Sequence, residues 1–403
     1  MITGSFPISQ FRQLDTPFYY YDMSVLHETL RVLRDESADT RVHYAVKACA
    51  TDPILRTIAA AGTGADCVSG GEVKAAIEAG FPASQIVFAG VAKTDNEIRY
   101  ALEQGIFCFN VESMEELEVI SAIAASMHTT ARVCLRVNPN IDAHTHDKIT
   151  TGLSENKFGI PMAFLADAVA LCYRLPAVTF LGLHFHIGSQ ITDMTPFVHL
   201  AHRINELVAS VENLTCTDEH GRTVQACVRH INVGGGLGIL YEHPNHFPIP
   251  DFNAYFAVWR EHLKLRPDQQ LHCELGRSIV AQCGNLITRV LYVKRGENKQ
   301  FAIVDAGMND LIRPALYGAF HRVENISHPD NEEQLYDIVG PVCESSDVFV
   351  EDYQIAAVQR GDLLVMRSAG AYGETMASRY NLRRLPGHII SEVFDDRQTV
   401  LRI

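Results

Sequence analysis

Lys47 sits in the apolar run HYAVKA (43–48). An ammonium in such a run is costly to bury unless it is paired or put to use. The structural alternative is a strand end from which the side chain reaches water. Other chemically capable residues recur where apolar, β-branched runs end. Asp66 leads into Ser69-Gly70-Gly71-Glu72, and Arg136 comes near the end of ARVCLRVN. His186 precedes Gly188-Ser189-Gln190; Gly234-Gly235-Gly236 follow HINV; Glu274-Leu275-Gly276-Arg277 close LHCELGR. Singly, each has an ordinary use. Three glycines make a tight turn, a lone histidine fills a core, and Glu274 with Arg277 makes a salt bridge. Together they offer a primary amine, backbone N–H groups that glycine lets approach a phosphate, and an arginine for a phosphate or carboxylate. They add a flat imidazole and a carboxylate.

These residues need elements to bring them together. From about residue 40 to residue 280, predicted strands and helices alternate. The strands are HYAVKA (43–48), GADCVS (64–69), QIVFAG (85–90), IFCFNV (106–111), ARVCLRVN (131–138), FLGLHFHIG (180–188), HINVGGG (230–236) and LHCELG (271–276). Helices are predicted at 72–79, after the capping-box patterns Thr94–Glu97 and Ser113–Glu116, and at 161–174, 195–212 and 252–264. Eight such units make a (β/α)8 barrel, a TIM barrel. A doubly wound sheet is the alternative, but no GxGxxG opens the pattern. Barrel active sites lie at the C-terminal strand ends, with phosphates after strands 7 and 8. That is where the set gathers.

Beyond residue 280 the runs NLITRVLYVKR, KQFAIVDAG, YDIVGPV, IAAVQRGDLLVMRSAG, GHIISEVF and QTVLRI read as strands with few helices between them. A mainly antiparallel, sandwich-like β domain is expected there, with an edge strand from TPFYYYDMSVL near the start. The expected division is a barrel at 36–280 and a β domain made of 1–35 and 281–403.

The chain of 403 residues is 47% hydrophobic, enough for a large core. It has no 20-residue apolar run, so no membrane span is expected. MITGSFPISQFRQLD has the pattern of neither a signal nor a transit peptide. A net charge of -14 argues against nucleic acid or an anionic membrane as partner. Ten cysteines occur without Cys-x-x-Cys spacing, which suggests reduced thiols in a cytosolic protein and no metal site.

One cofactor uses every group in the set. Pyridoxal 5′-phosphate needs an amine to attach to, a cradle for its phosphate and an anion near its pyridine nitrogen, which keeps the ring electron-withdrawing. The stretches YAVKA, HIGSQ, the glycine triplet, ELGR, MNDLIRPALYGAFH, GPVCESSD and SAGAYG span residues 44–373. With these, the chain resembles the alanine-racemase-like (fold type III) pyridoxal-phosphate decarboxylases, on their diaminopimelate-acting branch. The resemblance implies a barrel plus β domain, paired as a homodimer with two shared active sites. It implies that Lys47 attaches the cofactor, His186 stacks on its ring and Glu274 pairs with the ring nitrogen. Ser189, Gly234–Gly236, Gly276 and Tyr372 would hold the phosphate. Arg277, Arg313, Tyr317 and Tyr372 would contact cofactor or substrate, the arginines and Tyr317 taking a carboxylate. Asp66 and Arg136 would line the cofactor pocket. Cys343 and Glu344 would come from the partner subunit, Cys343 to protonate the reacting carbon and Glu344 to take the distal ammonium. Leu275 stands where the family usually has proline and Ser346 where it often has glycine, departures that bear on loop geometry.

Charge narrows the expected substrate. An ornithine-like chain ends in a lone ammonium and needs only acidic partners; two arginines would repel it. The far end of diaminopimelate is zwitterionic and needs both a carboxylate clamp and an ammonium acceptor. Decarboxylation to lysine and CO2 is the reaction that follows. The rivals are a related decarboxylase, a racemase of the same fold, and a non-catalytic cofactor carrier. The racemase would need a second base and lacks a Cys-Glu-Ser-Ser-Asp loop. Such carriers are single barrels without a β domain.

Overall fold

Short, apolar segments flanked by turn residues and helices favour parallel strands buried on both faces. In the computed structural model, which describes residues 6–141 and 157–394, eight of them close on themselves. They are β1 Arg41–Ala45, β2 Gly64–Cys67, β3 Ile86–Phe88, β4 Cys108–Val111, β5 Ala131–Asn138, β6 Val178–His184, β7 His230–Asn232 and β8 Gln270–Leu275. Each pairs in parallel with the next, and β8 returns to β1 with His43 opposite Glu274 and Tyr44 opposite Leu275. The helices between them include α1 Asp52–Ala60, α2 Gly70–Ala79, α3 Asp95–Gln104, α4 Met114–Ser126, α5 Leu165–Arg174, α6 Thr195–Glu212 and α7 Phe252–His262.

Local sequence explains the ends of these helices. Thr94 caps α3 with the complete reciprocal box expected there. At α4 only half forms: Ser113 accepts from Glu116 N–H, while the Glu116 carboxylate turns to Lys93 and to the Glu112 N–H. Several strand expectations are shortened at their C-terminal ends: the run 64–69 is a strand only to Cys67, 85–90 only to Phe88, 180–188 only to His184 and 230–236 only to Asn232, so His186 and the glycine triplet stand in the loops beyond. The run 43–48 is a strand only as far as Ala45, and Val46–Ala48 is a single 3-10 turn. Lys47 therefore stands on the turn that leaves β1.

The β unit is an eight-stranded, mostly antiparallel sheet. Its main path runs Val323–Asn325, Leu363–Met366, Gly284–Arg295, Gln300–Val304, Glu333–Val339, Val348–Ala356. The strand Phe18–Tyr21 is not an edge: it pairs antiparallel with Gly284–Ile287 and parallel with Gly387–Ile390 on its other side. GHIISEVF is a strand only to Ile390 and then turns into the helix Ser391–Phe394. The predicted strand QTVLRI lies outside the described residues. Phe11, Phe18, Tyr20, Ile287, Leu363 and Val365 form part of this unit's core. The chain divides into two units. One holds the described residues up to Leu30, Ile239–Pro250 and the described residues from Arg277 onward; the other holds Arg31–Gly238 and Asp251–Gly276.

Candidate active site

Register in the barrel sets the site. Ala45 of β1 lies opposite Asp66 of β2. The following 3-10 turn brings the Lys47 Nζ to 3.1 Å from the Asp66 Oδ2. Asp66 is fully buried, while the Lys47 side chain is 38% exposed. Burial pushes the Asp66 carboxyl up, Glu274 adds to this, and Lys47 opposes it. Its Oδ1 has no hydrogen-bond partner among the described residues.

Glu274, on β8, has both oxygens engaged. Oε2 lies 3.0 Å from the His184 Nε2, and Oε1 accepts from the Asn110 Nδ2 at 3.0 Å and the Asn232 Nδ2 at 2.7 Å. Burial works against its charge, but His184 and Lys47 outweigh it and hold the carboxyl well below the usual range. The barrel thus fixes an anion: Oε1 already accepts from two donors, and Oε2, with one partner, keeps a lone pair for a further donor.

His186 is held neutral by burial and by Arg136 and Lys47 nearby. Its Nδ1 accepts from the Gly235 N–H at 3.2 Å. The Gly234 N–H donates to the Asn232 Oδ1 at 2.9 Å. Two of the three glycine N–H groups therefore fix the turn itself. A Cβ at Gly235 would fall 1.9 Å from the Glu274 carbonyl oxygen, so only glycine lets the turn lie against β8. Gly276 has the same role one strand over: its Cβ would lie 3.0 Å from the Cβ atoms of Ala45 and Ala48, either side of Lys47. Ser189 is half-buried in the loop after β6. Arg136 pairs with the Glu112 Oε1 at 2.6 Å and lies 4.7 Å above the Phe158 ring. The Glu112 Oε2 accepts from the Gly159 N–H at 2.8 Å.

The other candidates belong to the β unit. Arg277 donates to the Tyr241 hydroxyl at 2.7 Å and lies 4.9 Å from the Tyr372 ring centre. Arg313 lies 4.9 Å above the Tyr241 ring, in the short helix Arg313–Tyr317 that also carries the half-buried Tyr317. Cys343 is the one exposed cysteine of the ten. Beneath its loop, the buried Asp347 accepts from the N–H groups of Val342 and Met308, both at 2.6 Å, leaving Cys343 to Ser346 on the surface. The Glu344 carboxylate accepts a hydrogen bond from the Tyr380 hydroxyl.

His184, Asn110 and Asn232 escaped the reading of the sequence. The His-x-His spacing of HFHIG would put two imidazoles on one face of an extended run, and asparagines inside FCFNV and HINV are as anomalous as the lysine in HYAVKA. Tyr241 gave no comparable signal; His321, whose Nε2 lies 2.7 Å from the Arg313 NH1, closes the stretch MNDLIRPALYGAFH but drew no role.

The set fits pyridoxal 5′-phosphate on structural grounds. There is an accessible amine, a buried anion, a neutral imidazole, and a turn where no side chain fits. Comparisons agree. Residues 24–281 match the family "Pyridoxal-dependent decarboxylase, pyridoxal binding domain". The chain is 56% identical to the diaminopimelate decarboxylase of Bacteroides thetaiotaomicron, over 95% of this chain and 97% of that one. It is 43% identical to that of Pseudomonas aeruginosa, over 95% and 89%. The crystal structure of the Helicobacter pylori diaminopimelate decarboxylase complexed with L-lysine superposes with a TM-score of 0.87 at 38% identity, covering 95% of this chain and 93% of that one.

Proposed function

The chain belongs to the pyridoxal-dependent decarboxylases, on their diaminopimelate decarboxylase branch, and from that premise we infer that it converts meso-diaminopimelate to L-lysine and CO2, the last step of lysine biosynthesis. The observation that carries the substrate is charge: Arg277 and Arg313 are buried within reach of one tyrosine, while Glu344 stays on the surface. A substrate end with carboxylate and ammonium meets both; a lone ammonium does not.

Pyridoxal 5′-phosphate, when bound, supplies the sink for the electron pair left when the carboxylate departs. The chain's own groups do the rest. Lys47 offers its Nζ for attachment, and the Asp66 Oδ2 at 3.1 Å can hold the proton that Nζ must give up to become a nucleophile. Glu274 presents the fixed negative charge to the ring nitrogen. His186 offers a neutral ring face for stacking. Ser189, Gly276, Tyr372 and the Gly234–Gly236 turn hold the phosphate, Gly234 and Gly235 by shaping the turn. Arg136 lines the pocket with Asp66. Arg277, Arg313 and Tyr317 take the distal carboxylate. Cys343, with its exposed thiol, returns a proton to the α-carbon, and Glu344 takes the distal ammonium, both from the partner subunit of a homodimer. The enzyme acts in the cytosol on a small amino acid, without nucleic-acid or membrane partners; no described helix is long and apolar enough to cross a membrane.

The test is direct. Purified protein with added cofactor is given meso-diaminopimelate, and CO2 and lysine are measured. Equal amounts of both are expected. Preference for ornithine or arginine would transfer the activity to a related decarboxylase.

A further inference from the structure

Cys343 and Glu344 are exposed, yet the loop that carries them is fixed from below. Its backbone closes on itself. The Gly340 N–H donates to the Asp347 carbonyl at 3.0 Å, the Glu344 N–H to the Val342 carbonyl at 2.8 Å, and the Asp347 N–H to the Glu344 carbonyl at 3.1 Å. Asp347 is only 3% exposed, and its side chain turns back under the loop. Oδ2 accepts from the N–H of Val342, the residue before Cys343, and Oδ1 accepts from the Met308 N–H, both at 2.6 Å. Glycine makes room for it: a Cβ at Gly340 would stand 2.4 Å from the Asp347 Oδ2. Met308 belongs to a second self-bonded turn. The Gly307 carbonyl accepts from the N–H groups of Asp310 at 2.8 Å and Leu311 at 3.1 Å, and the Gly307 N–H donates to the Asp310 Oδ2 at 2.8 Å. That turn leads into the short helix that opens with Arg313. One buried carboxylate therefore joins two tight turns, one leading to Arg313 and the other presenting Cys343.

We propose that Asp347 is a positioning residue for Cys343: taking one N–H on each oxygen, it sets where the thiol is presented, with the Met308 turn as its fixed point. This rests on the reading of Cys343 as proton donor. Proton transfer needs donor and acceptor within hydrogen-bond reach, so a small displacement of the loop is costly in rate. The Cys343 backbone has a weaker hold of its own, its N–H reaching the Asn381 Oδ1 at 3.4 Å. A carboxylate suits the place because both of its partners donate and it only accepts. An amide of the same shape can satisfy one of the two N–H groups; its own NH2 would face the other.

A double-mutant cycle separates this role from general support of the fold. Lysine formation is followed in a single turnover, with holoprotein in excess over meso-diaminopimelate. The proteins are wild type, Cys343→Ala, Asp347→Asn, Gly340→Ala, and the last two changes each combined with Cys343→Ala. Asp347→Asn is expected to slow the turnover about tenfold, the loss of one buried hydrogen bond to a charged group. Gly340→Ala crowds the same oxygen and keeps the carboxylate, so it should slow the turnover less, and it carries the cycle if Asp347→Asn does not fold. In the Cys343→Ala background neither change should slow the turnover further, because the thiol it places is gone. Cofactor affinity should stay at the wild-type value throughout. Losses that add in the double variants, a cofactor affinity that falls in step with the rate, or a folded Asp347→Asn protein with the wild-type rate would overturn the proposal while the role of Cys343 stood. A Cys343→Ala protein with the wild-type rate would overturn that role and the proposal with it.

Discussion

Two carboxyls near Lys47 are driven in opposite directions by their surroundings. Glu274 is stripped of water, yet His184, Asn110 and Asn232 hold it ionised. Its folded pKa lies below the unfolded one, so its stabilising contribution is present above the unfolded value and is lost as pH falls through the folded one. Glu72 goes the other way: burial pushes it up to about 7, against the N–H of Val68 that it accepts at 2.8 Å. A carboxyl with a raised folded pKa favours folding below its unfolded value, and that advantage is lost as pH climbs through about 7. Glu72→Gln keeps an acceptor without the charge. Thermal melts of the variant apoprotein should therefore exceed wild type at pH 8 and converge with it near pH 4.5; a gap independent of pH would contradict the assignment. Lys47, Asp66 and Glu274 were legible because charged groups inside apolar strands need a reason. Asn110 and Asn232 carried the same signal more faintly. Tyr241 was invisible, since a tyrosine in a loop acquires meaning only from the arginines folded against it; His321 closes the stretch MNDLIRPALYGAFH but drew no role of its own.

At the scale of elements, the barrel was readable from period and length, and strand ends were the least readable part. Val46 looks like any strand residue, yet the chain leaves β1 there, into a turn whose Ala48 Cβ lies 3.0 Å from where a Cβ at Gly276 would stand. The Phe18–Tyr21 strand was legible as a strand but not as an inner one, because the covering partner, Gly387–Ile390, lies far off in sequence. Close approach makes a further demand at the β7 turn. Gly235→Ala would force its Cβ to within 1.9 Å of the Glu274 carbonyl oxygen. Overpacking of this kind costs about 1–3 kcal/mol or more. Urea denaturation should show that loss, and cofactor affinity should fall with it, because the same turn orients His186. Gly276→Ala, with contacts at 3.0 Å, should cost less. Equal stability of Gly235→Ala and wild type would show that the turn moves freely.

At the scale of the molecule, the proposed assembly places Lys47 and Cys343 of any one site on different subunits. Lys47→Ala and Cys343→Ala homodimers should each be severely impaired. Mixed under conditions of subunit exchange, they should form hybrids with one intact site and recover part of the activity. Confirmed exchange without recovery would mean that each chain completes its own site. Sequence carried the two kinds of domain through the change of pattern near residue 280. It did not carry the placement of Ile239–Pro250 with the β unit, which brings Tyr241 to Arg277 and Arg313 and rests on contacts distant in sequence.

The central claim is that Lys47 carries the cofactor. Lys93 is the instructive competitor: it also follows a barrel strand, but its ammonium is enclosed by the carbonyls of Gly90 and Asn110 and by the Glu116 carboxylate. Reducing the yellow holoprotein with borohydride makes the lysine–cofactor bond permanent, and mass mapping of its peptides then reads the attachment point. The pyridoxyl group is expected on the peptide containing Lys47 and on no other. A pyridoxyl group on Lys93, or on any lysine but Lys47, would contradict it.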